Sequence, residues 1–87
     1  HLAGSEMNVG RFYLKQQNPI AAVKRFQNVV QNYQTTSHIA EALYRMTECY
    51  MMLGIKDEAA KYAAVLGHNY PDSDWYEHAH RLVSKHK

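Results

Sequence analysis

Six histidines and one cysteine are the residues of this chain whose types lend themselves to chemistry. A metal site needs donors that converge, and these do not. His78 and His80 stand two apart, so on a helix they point about 200° away from each other. His38, His68 and His86 are isolated, and His1 reads as a cloning remnant. A nucleophilic Cys49 would need a histidine partner or a helix N-terminus to lower its pKa. It lies instead in Met46-Thr47-Glu48-Cys49-Tyr50, mid-helix among apolar residues, where a small buried hydrophobe is expected. There is no glycine-rich phosphate loop, no HExxH and no GxSxG. No catalytic residue, metal ligand or cofactor is therefore assigned. What remains is recognition chemistry. Met7, Arg11, Leu14 and Lys15 share one face of a first helix, and Tyr44, Glu48, Met51 and Met52 the equivalent face one repeat later. Aromatics, Met and Arg are what protein interfaces enrich, and Arg11, Tyr44 and Glu48 are expected to be the exposed members. Lys24-Arg25 stand beside Phe26, and Arg offers a rigid two-pronged fork for carboxylates that Lys lacks. Arg11, Lys24, Arg25, Tyr44 and Glu48 are the candidate partner-binding residues.

Helices must position them, because helical spacing runs through the chain and strand alternation is nearly absent. The first helix is predicted from Leu2 or Ser5 to about Gln16, with Gly10 at a close helix–helix approach. Asn18 caps a second helix over about 19–33, and Pro19 is pre-set for its first turn. Its apolar stripe is Ala22, Phe26, Val29, Val30 and Tyr33. Ser37 is expected to cap a third helix over about 38–53 that buries Ala40, Leu43, Met46, Cys49 or Tyr50, and Leu53. Gly54 ends it as a left-handed residue. A fourth helix covers about 56–69. Asp74 with Glu77 resembles a capping box and opens a last helix. That helix ends in a basic turn (Arg81, Lys85, His86, Lys87) suited to the negative end of the helix dipole. Tyr13 and Tyr50 are assigned to the core, Tyr33 and Tyr70 to the corners, and Trp75 to the end of the core. Tyr44, Tyr62 and Tyr76 are left freer.

These helices say the same thing twice. Ala22, Phe26, Val29 and Tyr33 recur as Ala59, Ala63, Leu66 and Tyr70, a shift of 37 residues (22 to 59). The same shift carries Tyr13 onto Tyr50, Ala42 onto Ala79 and Met46 onto Val83. A fixed period of this length marks stacked repeats, each covering its neighbour's apolar face. Short loops make consecutive helices antiparallel. The expected fold is all-α: a TPR-like α-solenoid of two antiparallel helix hairpins (about 3–36 and 38–73) plus a C-terminal capping helix (about 74–86).

Composition narrows the function. Apolar residues make up 46% and charged residues 21%, an ordinary globular mix. Ten basic and eight acidic side chains are interspersed, for a net charge of +2, with no stripe that would hold nucleic acid. No stretch has the length of a membrane span and no signal peptide is visible. The chain opens inside a helix, at Glu6-Met7-Asn8-Val9-Gly10, so further sequence is expected upstream.

Leu43, Met46, Tyr50, Gly54, Asp57-Glu58-Ala59 and Pro71 together resemble a tetratricopeptide repeat. The period is 37 rather than 34, Gln34 stands where a Pro would close the first unit, and Thr47 and Ala63 replace the usual Gly and aromatic. The longer stretches Glu6-Met7-Asn8-Val9-Gly10-Arg11-Phe12-Tyr13-Leu14, Ala21-Ala22-Val23-Lys24-Arg25-Phe26-Gln27, Tyr33-Gln34-Thr35-Thr36 and Leu66-Gly67-His68-Asn69-Tyr70-Pro71, with Ser73-Asp74-Trp75-Tyr76, resemble one family more closely. It is the BamD (ComL/YfiO) family of outer-membrane lipoproteins, and the likeness is to its C-terminal half. The resemblance implies a non-catalytic docking module at the periplasmic face of the outer membrane. It would belong to the machinery that inserts β-barrel proteins, binding the POTRA region of BamA and neighbouring lipoproteins. Arg25 is the docking residue the resemblance singles out. Membrane attachment would be through an N-terminal lipid outside this sequence, on a cysteine other than Cys49. The rival reading is a generic repeat module that holds an extended peptide in its concave groove, with Arg11 and Lys15 on a carboxylate. An enzyme or nucleic-acid-binding domain would need a perturbed cleft cluster or a basic stripe.

Overall fold

The computed structural model describes residues 2–85. Five helices are found among them: α1 (Leu2–Lys15), α2 (Pro19–Asn32), α3 (Ile39–Leu53), α4 (Lys56–Asn69) and α5 (Asp74–Lys85). The described residues contain no strand. Each helix packs on its predecessor, and α5 packs on both α3 and α4. The molecule measures 34 × 28 × 18 Å. Its thin dimension is about two helix diameters, as two layers require. His1, His86 and Lys87, and with them part of the predicted basic last turn, lie outside the described residues.

The repeat governs the core. Ala22, Phe26 and Val29 are fully buried, and so are Ala59 and Leu66, with Ala63 nearly so. Gly10 permits the close approach predicted for it: a methyl group there would lie 2.6 Å from two ring carbons of Phe26. Tyr13 and Tyr50 are half-buried against the core rather than enclosed by it. Ala40 and Leu53, assigned to the core, are half-buried, while Glu41 and Thr47 are buried in their stead. The Thr47 hydroxyl donates to the Leu43 carbonyl oxygen at 2.9 Å, which makes its burial tolerable.

The corners follow the repeat too. Asn18 caps α2 by accepting from the Ala21 N–H at 3.3 Å. Gly54 closes α3 with φ +77°, and the next N–H, of Ile55, donates to the Tyr50 carbonyl at 2.9 Å. One period earlier, Asn18 N–H donates to the Tyr13 carbonyl at 2.9 Å, and Gln17 takes the left-handed position with φ +58°. Two capping expectations need correction. Ser37 does not cap α3; His38 is its N-cap, without a side-chain hydrogen bond, and its N–H is taken by Thr36 Oγ1 at 3.3 Å. At α5 it is Ser73 Oγ, not Asp74, that accepts from the Trp75 N–H at 3.1 Å. In each case the oxygen within reach is set by the loop's path, which residue type alone does not reveal.

Candidate functional site

The candidate residues fall on two surfaces. The first is the outer face of α2. Burial of Ala22, Phe26 and Val29 fixes the helix phase, which turns Lys24 and Arg25 to solvent. Lys24 has no ion pair among the described residues. Arg25 does: its Nη1 donates to Glu6 Oε1 of α1 at 2.9 Å, with the Arg25 side chain 45% exposed. Asn28 Nδ2 donates to the other Glu6 oxygen, and Asn32 Nδ2 to Asn28 Oδ1, giving a polar seam between α1 and α2. The Arg25 hydrogen bond outweighs desolvation and holds the Glu6 carboxyl below its ordinary value.

The second surface is carried by α1, α3 and α5. Here Glu41, a buried acid, takes a two-pronged fork from Arg11: Nε to Oε2 at 2.8 Å and Nη2 to Oε1 at 2.6 Å. Arg11 Nη1 also donates to Asn8 Oδ1 at 2.8 Å. Arg45 donates from Nε to Glu41 Oε2 at 3.2 Å and from Nη1 to Glu48 Oε1 at 3.0 Å. Two cations thus face two anions. The Arg11 fork is the main reason the Glu41 carboxyl sits below its ordinary range. No buried side-chain polar atom among the described residues lacks a partner.

Aromatic contacts fasten α5 to this network. The Arg45 guanidinium lies 5.4 Å from the ring centres of both Tyr44 and Trp75, within cation–π range. Tyr44 and Trp75 are 5.5 Å apart, and His78 lies 5.9 Å from each.

The expectation that Arg11, Tyr44 and Glu48 stand exposed is therefore corrected. All three are half-buried and engaged within the chain. Met7, expected on the same face, is fully buried. Tyr62 and Tyr76 are not free either. Tyr62 stacks on Tyr50 with centres 5.6 Å apart, and the Tyr76 ring occupies the space a side chain at Gly67 would need. Sequence reasoning passed over Glu41 and Arg45, the centre of the network. Their i, i+4 spacing, acid before base, was the signal that could have found them.

Cys49 is fully buried, and desolvation pushes its thiol up to about 12, which removes it as a nucleophile at neutral pH. Among the described residues no three His, Cys, Asp or Glu side chains converge on a point that could hold a metal ion. Nor is any described helix long and apolar enough to cross a membrane.

Similarity to known proteins bears on these surfaces. The family model described as "YfiO: Outer membrane lipoprotein" matches residues 1–66. The chain is similar to the outer membrane protein assembly factor BamD of Rickettsia prowazekii, with 62% identity over 87 residues, covering 100% of this chain and 35% of the relative. It is also similar to the protein of the same name from Caulobacter vibrioides, 48% identical over 83 residues, 95% of this chain and 27% of the relative. For that of Neisseria meningitidis serogroup A, identity is 38% over 78 residues, 90% of this chain and 29% of the relative. The chain spans about a third or less of the length of these curated relatives.

Proposed function

The chain belongs to the YfiO family of outer membrane lipoproteins, and from that premise we propose that it is a non-catalytic docking scaffold in the assembly of outer-membrane β-barrel proteins. It works at the periplasmic face of the outer membrane. Its partners are the POTRA region of BamA and other lipoproteins of the machinery. The observation that carries this reading is the 62% identity, across the entire chain, to a relative named as an assembly factor. In this reading the segments of about 3–36 and 38–73 act as stacked repeats and that of about 74–86 as their cap. The mechanism is positional: packed hairpins hold exposed side chains at fixed spacing, so little ordering entropy is lost on docking.

Arg25 is the anchor in this proposal, with Lys24 beside it. Its exposure and its position on the rim of the α1–α2 seam support the role. Arg11, Tyr44 and Glu48 serve by shaping the α1–α3–α5 face rather than by reaching out.

The test is binding of the POTRA domain nearest the barrel, measured by calorimetry. Arg25→Glu is expected to weaken it about tenfold, the effect of a charge anchor. That variant also breaks the pair with Glu6, so the double exchange Glu6→Arg/Arg25→Glu, which restores an internal pair, is measured beside it. Continued weakness in the double variant supports direct contact. Recovery assigns Arg25 an internal role only and removes it from the docking site. No binding by the unaltered protein overturns the reading.

A further inference from the structure

Short loops make consecutive helices antiparallel, so α1, α3 and α5 end at the same edge of the molecule at which α2 and α4 begin. Helices of 14 residues are about 21 Å long, which keeps this edge well apart from the opposite one. The two edges differ in charge. Lys15, Lys56 and Lys85 stand exposed where α1 ends, α4 begins and α5 ends, and none has an ion pair among the described residues. Of the acids beside them, Glu58 is held by Lys61 at 3.3 Å, which leaves Asp57. At the opposite edge neither corner, 31–40 or 66–75, contains a Lys or Arg, and Asp72 and Asp74 are exposed.

The edges differ in apolar exposure as well. Leu2 and Phe12 are exposed, but their counterparts one period on, Ile39 and Cys49, are buried, so both occupy packing slots of the stack. Val65 and Tyr70 lie towards the acidic edge. Ile20, Met52 and Ile55 are different. They are 59%, 42% and 44% exposed, all at the edge that carries the lysines. The 37-residue shift pairs them with Asp57, Lys15 and Asn18, which are exposed and polar. The fold therefore accepts polar side chains at all three positions and does not need apolar ones for packing. Ile55 even forfeits a cap. Asn18 caps α2 with its side chain, whereas Ile55 holds the same position before α4 without a side-chain hydrogen bond.

We propose that this edge is a membrane-contact surface: it rests on a bilayer containing anionic phospholipids, with Ile20, Met52 and Ile55 among the headgroups and Lys15, Lys56 and Lys85 against the phosphates. Three free cations with one free acid complement such a surface, and the aliphatic side chains between them gain burial there. Lysine stems lie along apolar surface while their ammonium groups reach charge. The family is one of outer membrane lipoproteins, so a lipid surface stands within reach of its members. The helices stand upright on the bilayer and turn the acidic edge away from it. The outer face of α2, with Arg25, stays free for a protein partner, so this contact and the docking proposed above can fail separately.

The test is co-sedimentation of the full protein, prepared without acylation so that no lipid anchor contributes, with vesicles of phosphatidylcholine mixed with phosphatidylglycerol. Vesicles of phosphatidylcholine alone are the control. Binding is expected to the mixed vesicles and should fall with added salt. Ile20→Ser combined with Ile55→Ser should weaken it about tenfold. Lys15→Gln and Lys56→Gln should each weaken it about fivefold. Asp72→Asn, at the opposite edge, should change nothing. Ile55→Ser alone supplies the missing cap, so it should raise the thermal midpoint while binding falls; a merely structural role would move both the same way. No binding to the mixed vesicles, or equal binding to phosphatidylcholine alone, overturns the proposal. Undiminished binding by the double serine variant also overturns it. So does self-association, or POTRA binding, that the double serine variant abolishes, since either gives the edge to a protein instead.

Discussion

The two hairpins solve one packing problem with opposite volumes. Where α1 faces α2, Gly10 makes room and Phe26 fills it. One period later, Thr47 and Ala63 occupy the same two positions: the larger side chain has moved to the first helix and the smaller to the second. Neither residue is conserved, and the pair's side-chain heavy atoms fall from seven (Phe26) to four (Thr47 with Ala63), so what is shared between the hairpins is the buried slot and not the volume these two residues put into it. The corners differ in a parallel way. Gly54 reaches φ +77° without a Cβ to clash, whereas Gln17 sits at φ +58° with one. A repeat therefore preserves slots and backbone paths, and lets residue types drift within them.

The largest effect should come from emptying the first slot. Phe26→Ala is expected to cost about 3–5 kcal/mol in urea denaturation. If the slots are equivalent, adding Gly10→Thr, which copies the second hairpin, recovers part of that loss; a further loss would break the equivalence.

Next is the acid that links the hairpins. Glu41→Gln removes the charge from the Arg11 fork and should cost about 1–3 kcal/mol. It should also alter the pH dependence. Glu6 and Glu41 are both held below their ordinary value of 4.5, Glu41 chiefly by Arg11 and Glu6 chiefly by Arg25. A carboxyl whose folded pKa is lowered contributes stability that is complete above the ordinary value. That contribution fades as the pH falls below 4.5 towards the folded value. Urea midpoints measured across that window should fall in the unaltered protein and fall less in Glu41→Gln. An unchanged acid slope would mean the fork contributes nothing net.

The corners give the smallest effect and the sharpest contrast in sign. Gly54→Ala should destabilise by about 1 kcal/mol. Gln17→Gly relieves a side chain at positive φ and should be neutral or stabilise by up to about 1 kcal/mol. Thermal midpoints of the two variants moving in the same direction would contradict the shared corner geometry.

Much of the fold was legible because helix periodicity and the 37-residue repeat are local patterns. Asn18, Pro19, Gly54 and the stripe of α2 carry their own instructions. The predicted bounds of α4 are those observed, since its ends are marked by Lys56-Asp57-Glu58 and by Pro71. The candidate surface was less legible. Arg11, Tyr44 and Glu48 have the composition of an interface, yet the same composition also makes internal ion pairs and aromatic contacts. Nothing in the sequence says that Glu41, thirty positions from Arg11, is the acid within reach.

By itself, then, the sequence determined five helices, their order, their buried stripes and the family they belong to. Each of those depends on neighbours along the chain or on order and spacing. Only the tertiary structure decided which polar side chains are spent inside the molecule and which remain for a partner. That outcome depends on what stands opposite each residue in space, and stacking brings together groups that the chain keeps far apart.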